Sequence, residues 1–274
     1  NTVAARCLWE TEGTAMDQET DEMVWENFKS NVSRVDGRYQ VSLPWKEDRP
    51  VLLDNRNQAE QRLFYLDRKL NADESLKKRY DSVFGQYLDQ GIIEFVPDDQ
   101  VDNSTSVFYM PHRPVVKEQS TSTKVRPVFD ASARGYNGVS LNDCLHAGPC
   151  LLPNLTSVLI RFRRWKIGIT SDITKAFLQI LVHPDDRDVH RFLWRDENGD
   201  VRHLRFRRLP FGNKSSPFLL NATIKYHLSQ FESSNIVTEL KENLYVDDFL
   251  TGADSEDEAC SLINEANQIM NLAS

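Results

Sequence analysis

The sequence predicts a mixed α/β fold of the α+β type, in which antiparallel strands pack against helices. The chain has 274 residues, of which 40% are hydrophobic and 27% are charged, so it can bury a sizeable core. Residues 59–88 carry apolar side chains at helical spacing, whereas apolar residues from 92 to 129 fall in the short runs typical of strands. Asn198 and Gly199 separate two further runs and indicate a β-hairpin, since both residues tolerate the positive φ of tight turns.

Residues 1–50 contrast with the rest of the chain. They are polar and acidic with isolated aromatic residues, and we interpret them as a loosely packed lead-in or linker. Residues 51–274 are then expected to form the folded part. No segment approaches the roughly 20 consecutive apolar residues of a membrane helix, and residues 1–10 lack a secretory signal pattern. We therefore expect a soluble, intracellular piece of a longer polypeptide.

Two helices are expected at the start of the folded part. The second ends at Gly91, where a left-handed helix cap is usual. The apolar positions are Ala59, Leu63, Leu66 and Leu70 in the first helix, and Leu76, Tyr80, Val83, Phe84, Tyr87 and Leu88 in the second.

Strands and helices alternate after Gly91. Strands are expected at 92–96, 106–110, 115–117, 124–129, 167–172, 189–194, 201–206, 242–246 and 249–251, and helices at 153–165 and 216–231. The third and fourth of these strands are expected to pair as a hairpin with basic residues near its tip. Ser255 and Glu258 form a capping box that predicts a final helix.

Charge is unevenly distributed along the chain. The net charge is −8, which by itself argues against a nucleic-acid partner, because phosphate binding depends on Lys and Arg. Residues 161–214, however, hold thirteen Lys or Arg against seven acids, whereas residues 235–274 hold nine acids and one Lys. A basic segment can steer a polyanion through its local potential, and a solvated surface is the alternative explanation.

The cysteines and histidines do not indicate a metal centre. Cys7, Cys144, Cys150 and Cys260 are too few and too scattered for a disulfide scaffold, and no Cys or His spacing resembles a zinc site. Reduced thiols in an intracellular setting are therefore expected.

The strongest local motif is a pair of adjacent acids, Asp247 and Asp248, between two apolar strand-like segments. A divalent cation relieves the repulsion between two such carboxylates, so the pair indicates a metal site, and an ordinary Asp-Asp turn is the alternative. Asp172 strengthens the metal interpretation, because it closes the apolar strand 167–172. A metal-dependent enzyme of mixed α/β type would place a ligand at that position.

Two further segments carry candidate binding residues. The loop 209–217 contains Phe211 and Gly212 and leads into a helix, which suits a loop beneath a base or a phosphate. Arg126 lies in one strand of the expected hairpin and Lys117 in the other, where their positive groups suit a triphosphate. An ordinary loop-to-helix junction and simple solvation of a hairpin are the alternatives.

Taken in their order along the chain, these segments resemble the reverse transcriptases of long-terminal-repeat retroelements. The segment around Asp172 is similar to their first catalytic motif, and residues 209–217 to their template-and-nucleotide loop. Residues 245–248 are similar to their YVDD signature, and residues 124–130 to the fingers strand with a nucleotide-binding arginine. Further matches resemble the Bel/Pao group and extend over nearly the whole chain. They comprise residues 9–10, 38–45, 80–96, 126–132, 141–143, 148–149 and 192–194.

The resemblance implies the fingers and palm of a right-hand polymerase, with an antiparallel palm sheet, packed helices and no thumb. It implies that Asp172, Asp247 and Asp248 are catalytic metal ligands, and that the Ile173 carbonyl is a further ligand. It also implies that Phe177 lies against the nucleotide sugar and excludes a 2′-hydroxyl, with a core phenylalanine as the alternative.

The implied reaction is RNA-directed DNA polymerisation, in which a primer 3′-hydroxyl attacks the α-phosphate of a deoxynucleoside triphosphate with two Mg²⁺ or Mn²⁺ ions. The residues implied to contact the nucleotide are Lys117, Arg126, Phe177, Phe211 and Gly212. The implied partners are an RNA or DNA template with its primer, and neighbouring protease, RNase H and integrase domains, with no membrane. The implied location is the cytoplasm, in a virus-like particle.

A rival hypothesis from another class of function is a catalytically inactive, nucleic-acid-binding relic of a transposon polyprotein. The three acids and the loop 209–217 are intact, which favours the enzyme.

Overall fold

The computed structural model of the chain describes residues 15–102, 106–119, 124–196, 198–232 and 234–273. The chain divides into two compact units. Unit 1 comprises Asn1–Pro44, Ala147–Ile180 and Pro217–Ser274, and unit 2 comprises Trp45–His146 and Leu181–Ser216. Helices and small antiparallel sheets make up the described residues, which confirms the predicted mixed α/β fold.

The helices and strands of the described ranges are as follows. The helices are α1 (Ala15–Asn31), α2 (Arg56–Asn71), α3 (Glu74–Asp89), α4 (Asp98–Val101), α5 (Leu155–Phe162), α6 (Ser216–Ser229), α7 (Asn235–Asn243) and α8 (Glu256–Asn271). The strands are β1 (Ser33–Val35), β2 (Arg38–Val41), β3 (Ile93–Phe95), β4 (His112–Val116), β5 (Val125–Phe129), β6 (Ile167–Asp172), β7 (Leu181–Val182), β8 (Arg191–Arg195), β9 (Val201–Phe206), β10 (Leu244–Tyr245) and β11 (Asp248–Ala253). Short 3₁₀ turns span Leu141–Cys144, Ala176–Gln179 and Pro184–His190.

A three-stranded antiparallel sheet of order β10-β11-β6 forms part of unit 1. The central strand β11 pairs with β6 along its whole length, and Asp248 lies opposite Asp172 at one end. Helices α5, α7 and α8 pack against this sheet. Close approach of the two strands requires glycine at position 252, because a Cβ there would lie 2.4 Å from the Ile167 carbonyl oxygen.

Residues 15–44 are an integral part of unit 1. The rings of Trp25 and Phe28 stack with their centroids 5.6 Å apart, and Phe28 packs edge-on against Phe218 of α6. Val24, Phe28 and Tyr39 are buried. The interpretation of this region as loosely packed is therefore wrong for residues 24–43, because aromatic residues that look isolated in the sequence find their partners in a distant helix.

Unit 2 contains a sheet of order β3-β9-β8 and a separate hairpin of β4 and β5, all antiparallel. The predicted pairing of 115–117 with 124–129 is confirmed, and the hairpin tip at 120–123 lies outside the described residues. The predicted hairpin at Asn198 and Gly199 is also confirmed, with a φ of +88° at Gly199, although Glu197 lies outside the described residues.

The expected strand at 106–110 does not form, and a single bridge from Tyr109 to Arg191 takes its place. The Asn55 side chain occupies the hydrogen-bonding groups that a strand would use. Its Oδ1 accepts from the Tyr109 N–H at 2.7 Å, and its Nδ2 donates to the Tyr109 carbonyl at 2.8 Å. A side chain more than fifty residues away therefore replaces the neighbouring strand.

The two helix caps predicted at Gly91 and Ser255 are confirmed, with one detail changed. Gly91 follows α3 with a φ of +59°, and the Ser255 hydroxyl accepts a hydrogen bond from the Glu258 N–H at the start of α8. The Glu258 carboxylate accepts from the N–H of Asp254 rather than of Ser255. No helix among the described residues is both long and apolar enough to cross a membrane.

The expectation of reduced thiols holds only in part. Cys144 and Cys260 are free, whereas Cys150 is disulfide-bonded. Spacing along the chain does not show which cysteines approach each other in space, so the sequence could not reveal this bond.

Two histidines in unit 2 favour the neutral form. Burial lowers the pKa of His112 to about 4 and that of His190 to about 3. His190 is fully buried, and its Nε2 lies 2.6 Å from the Asn213 Nδ2. Between pH 6.5 and about pH 4, the unfolded chain binds protons at both positions while the folded chain does not. The free energy of unfolding therefore has its full value above pH 6.5 and decreases as the pH falls through this range.

We expect His190→Gln to reduce the acid sensitivity of the fold. Between about pH 6 and pH 4 the slope of the unfolding free energy should fall by about 1.4 kcal/mol per pH unit, the contribution of one proton. Urea denaturation across this pH range measures the slope. Equal slopes for the His190 variant and the parent chain would contradict the prediction.

Candidate active site

The pairing of β6 with β11 brings the three predicted carboxylates to one end of the sheet. Asp172 is the last residue of β6 and lies opposite Asp248, the first residue of β11. Asp247 lies in the turn that joins β10 to β11, and its carbonyl accepts a hydrogen bond from the Ile173 N–H at 2.9 Å. Main-chain bonds therefore hold the turn against the end of β6.

The turn between β10 and β11 has an unusual backbone. Tyr245 pairs with Asp248, so the loop consists of Val246 and Asp247 alone. Val246 has a φ of +61°, which β-branched residues rarely adopt and which glycine usually supplies in a two-residue hairpin. Lys175, just beyond β6, has a φ of +53°. Residues held in such conformations cluster at functional sites, where the surrounding structure compensates for the strain.

The environment of Asp247 disfavours its ionisation. Asp247 is partly buried, and this burial, followed by the negative charges of Asp248 and Asp172, holds the pKa of the Asp247 carboxyl above its usual value. Asp172 and Asp248 are exposed. Carboxylate and carbonyl oxygens are the ligands that Mg²⁺ prefers. The donor atoms of this cluster therefore fit a divalent cation in chemical type and in charge.

The side chains of the cluster do not yet converge on one point. Among the residues that the structure describes, no three carboxylate, imidazole or thiol side chains are arranged to hold a metal ion. Uncompensated carboxylates repel each other, which favours side-chain rotamers that point apart. The Ile173 carbonyl already accepts a hydrogen bond from the Ala176 N–H at 3.1 Å, and a carbonyl oxygen has a second lone pair for another partner. The strand pairing and the Ile173–Asp247 hydrogen bond thus fix the main chain that carries the three acids.

Phe177 lies in the same unit as the three acids. It belongs to the 3₁₀ turn that follows β6, and its side chain is 7% exposed. Contact with a nucleotide sugar and packing in the core are both compatible with this low exposure.

The hairpin of β4 and β5 carries Arg126 and Lys117 on one face. Arg126 lies opposite Val115, and the Lys117 N–H donates a hydrogen bond to the Lys124 carbonyl at 2.8 Å. Because side chains alternate along a strand, Arg126 and Lys117 therefore lie on the same face of the hairpin. Arg113 and Lys124 share this face, and all four cations are exposed. In the described part of the chain, no ion pair involves any of them. Arg113 and Lys124 are not among the residues predicted from the sequence, although the two-residue alternation of the strands could have identified them.

The loop 209–216 is fixed against the end of β5. Gly212 has a φ of +114°, and a Cβ at this position would lie 2.6 Å from the Phe129 carbonyl oxygen, so only glycine fits. The Asn142 side chain donates to the Gly212 carbonyl at 3.1 Å and accepts from the Lys214 N–H at 2.9 Å. Phe211 is 53% exposed. Asn142 is a positioning residue that the sequence analysis missed, although it lies within the motif 141–143.

The predicted site residues thus form two groups. Unit 1 holds Asp172, Ile173, Phe177, Asp247 and Asp248. Unit 2 holds Lys117, Arg126, Phe211 and Gly212.

Comparison with known families assigns the chain to a class. The sequence model of the family described as "Reverse transcriptase (RNA-dependent DNA polymerase)" matches residues 117–273, which is more than half of the chain. The matched segment contains every predicted site residue. The chain therefore belongs to the reverse transcriptase family, and its mixed α/β fold is consistent with a fingers–palm fragment.

The chain is also similar to retroviral polyproteins. It is 35% identical over 101 residues to the Gag-Pol polyprotein of Woolly monkey sarcoma virus, covering 36% of the chain and 6% of that protein. It is 34% identical over 108 residues to the Pol polyprotein of Feline endogenous virus ECE1, covering 39% of the chain and 10% of that protein. The Gag-Pol polyprotein of Koala retrovirus is 34% identical over 101 residues, covering 36% of the chain and 6% of that protein. The chain thus spans a tenth or less of the length of these relatives.

We expect Gly212→Ala to destabilise the chain more than Gly138→Ala. Both glycines lie in unit 2 with positive φ, but Gly138 has open space around it. Each substitution forces a strained backbone that costs about 1–3 kcal/mol, and Gly212→Ala adds the clash with the Phe129 carbonyl. Urea denaturation measures both losses. Equal losses in the two variants would show that the loop relaxes without cost.

Proposed function

We propose that the chain is an RNA-directed DNA polymerase that transfers a deoxynucleotide to a primer 3′-hydroxyl on a template. The observation that carries this proposal is the register of β6 and β11, which sets Asp172 opposite Asp248 with Asp247 in the adjoining turn. Nucleotidyl transfer needs closely spaced anionic ligands at the reacting phosphate, and membership of the reverse transcriptase family supports this use of the cluster.

Two Mg²⁺ ions would be held by the carboxylates of Asp172, Asp247 and Asp248, with the Ile173 carbonyl as a further ligand. When bound, such ions lower the pKa of an attacking hydroxyl and neutralise charge on the leaving pyrophosphate. The protein's contribution is a preformed backbone. The strand pairing and the hydrogen bond from the Ile173 N–H to the Asp247 carbonyl keep three anionic residues together before any ion binds.

The remaining predicted residues are proposed to bind the nucleotide and the template. Lys117 and Arg126 bind the triphosphate, because a guanidinium can engage two phosphate oxygens at once and no ion pair of the described residues competes for it. Phe211 is exposed on a loop that Gly212 holds in place, which suits contact with a base. Phe177 is proposed to lie against the sugar and to exclude a 2′-hydroxyl.

We further propose that the chain is part of a Bel/Pao-type retrotransposon polyprotein. The motifs at 38–45 and 126–132 support this finer assignment, and the matched relatives are themselves named as Gag-Pol or Pol polyproteins. Residues 1–50 would be the part of the polyprotein that leads into the fingers and palm of residues 51–274, and residues 24–43 of this part pack within unit 1. Template, primer, deoxynucleoside triphosphates and neighbouring protease, RNase H and integrase domains would be the partners, in a cytoplasmic virus-like particle.

We expect Asp172→Asn and Asp247→Asn each to abolish primer extension while leaving template binding near normal. Loss of a metal ligand should raise the barrier by several kcal/mol, which lowers the rate at least about 10³-fold. The measurement is primer extension by the chain on RNA and DNA templates, alongside calorimetric titration with Mn²⁺, which should bind more weakly to both variants.

Asp254→Asn is the matched control, because Asp254 follows β11 at the other end of the strand and is exposed. It should retain extension and Mn²⁺ binding. Extension at the parental rate by either site variant would reject the assignment. Template binding without extension by the parent chain would instead favour an inactive nucleic-acid-binding relic.

We expect Phe177→Val to increase the use of ribonucleotides relative to deoxynucleotides. Removing the ring opens space for a 2′-hydroxyl, whereas the loss on deoxynucleotides should be smaller. The ratio of kcat/KM for the two nucleotide types reports this change.

Phe206→Val is the control for a purely structural effect, because Phe206 is buried in unit 2 at 1% exposure. A large-to-small core change costs roughly 2–5 kcal/mol of stability and lowers both activities together, so the ratio should not move. An unchanged ratio in Phe177→Val would assign Phe177 to the core.

A further inference from the structure

A cavity of about 340 Å³ lies inside unit 1, between α6, α7, α8 and the end of β6. Its wall is more apolar than polar, and the apolar part includes Ile173, Ile224, Leu240, Phe249 and Met270. Protein sites for small molecules are mostly apolar spaces of roughly 300–1,000 Å³. An apolar cavity of about 150 Å³ stays dry and binds benzene, so a space of this size matches about two aromatic rings.

Three buried polar side chains of the wall, those of Tyr39, Thr223 and His227, are bonded to other protein atoms. The Tyr39 hydroxyl donates to the His227 Nδ1 at 3.0 Å, and the His227 Nε2 donates to the Ile269 carbonyl at 2.9 Å. The Thr223 hydroxyl donates to the Leu219 carbonyl at 2.7 Å. These pairings leave few groups for water to bond in the buried part of the cavity, which favours an apolar occupant there over a cluster of ordered water. The other uncharged polar side chains of the wall are exposed, namely those of Ser171, Thr174, Asn267 and Asn271.

Charge in the wall also points to a neutral occupant. The Gln179 side chain donates to the Thr174 carbonyl at 2.8 Å and accepts from Arg38 at 2.6 Å, so it too is occupied. Among the residues that line the cavity, Asp172 is the one carboxylate, and it lies at the exposed edge. An anion would be repelled there, and a cation would lose its hydration against an apolar wall.

The cavity adjoins the candidate active site but lies on a different face of the sheet. Ser171 and Phe249 form a directly opposed pair that lines the cavity, and the next pair along the two strands is Asp172 with Asp248. Successive side chains of a strand point to opposite faces, so Asp172 and Asp248 point away from the face that Ser171 and Phe249 line, and Asp172 borders the cavity at its exposed edge. A ligand would therefore contact the back of the strands that carry the acids.

We propose that this cavity is a binding site for a small, neutral, two-ring aromatic molecule. The site borders the proposed metal site at Asp172 and Ile173, and none of the residues assigned to the nucleotide lines it. Binding does not depend on polymerase activity. Because Ile173 and Phe249 each neighbour an acid of the cluster, the ligand touches segments whose placement the acids depend on.

The test uses 1-aminonaphthalene, a neutral two-ring probe whose emission brightens and shifts to the blue when it leaves water. Titration of the purified chain should show saturable binding to one site, and saturating probe should raise the melting temperature, because a ligand that binds only the folded state stabilises it. Ala266→Phe on α8 should fill the cavity and weaken binding at least tenfold.

Two further variants keep this test decisive. Met270→Trp narrows the cavity from a partly exposed position, so it reports on the site even if Ala266→Phe does not fold. Ile263→Phe adds an aromatic ring on the same helix at a position 41% exposed and outside the cavity, and it should bind the probe as the parent chain does. Failure of the parent chain to bind saturably would overturn the proposal. Unchanged affinity in a folded cavity-filling variant would also overturn it, because the probe would then bind elsewhere.

Discussion

The register of β6 against β11 is the constraint on which the candidate active site depends. A slip of one residue would turn Phe249 out of the core and separate Asp172 from Asp248. Two features fix the register. Phe249 belongs to the buried apolar cluster of unit 1, and Gly252 approaches the Ile167 carbonyl too closely for any other residue. Burial of the apolar side therefore forces the carboxylates together on the other side.

This arrangement has a cost that the surrounding structure must offset. Burial, followed by the negative charges of Asp248 and Asp172, raises the pKa of Asp247, and Val246 adopts a φ that suits glycine. Main-chain pairing of β10, β11 and β6 and the hydrogen bond to the Asp247 carbonyl hold the turn in place despite both penalties. A site that is strained and repulsive without a ligand gains more from binding a cation than a relaxed site would, because binding removes the repulsion.

Local sequence signals predicted much of the fold, whereas contacts between residues far apart in the chain could not be predicted. The spacing of apolar residues, together with turn and capping residues, located the β4–β5 hairpin, the β8–β9 hairpin and α8. The acids at strand ends indicated the carboxylate cluster. The sequence could not show that Asn55 would occupy the hydrogen-bonding groups of Tyr109, so a strand was expected at 106–110. It also gave no sign that Phe28 would meet Phe218, because the two residues are far apart in the chain.

The distribution of charge along the sequence likewise does not show which cations are paired with acids in the folded chain. The basic segment 161–214 suggested a polyanion surface, but Arg205 bonds both Glu94 and Asp188, and Arg187 lies 3.7 Å from Glu94, so these positive charges are neutralised inside unit 2. The exposed face of the β4–β5 hairpin has fewer cations, yet no ion pair in the described residues engages them. An exposed cation without an internal partner attracts phosphate more strongly than one that must first leave a carboxylate. Attraction of a polyanion by unit 2 therefore depends on where its cations lack acidic partners rather than on where they are most numerous in the sequence.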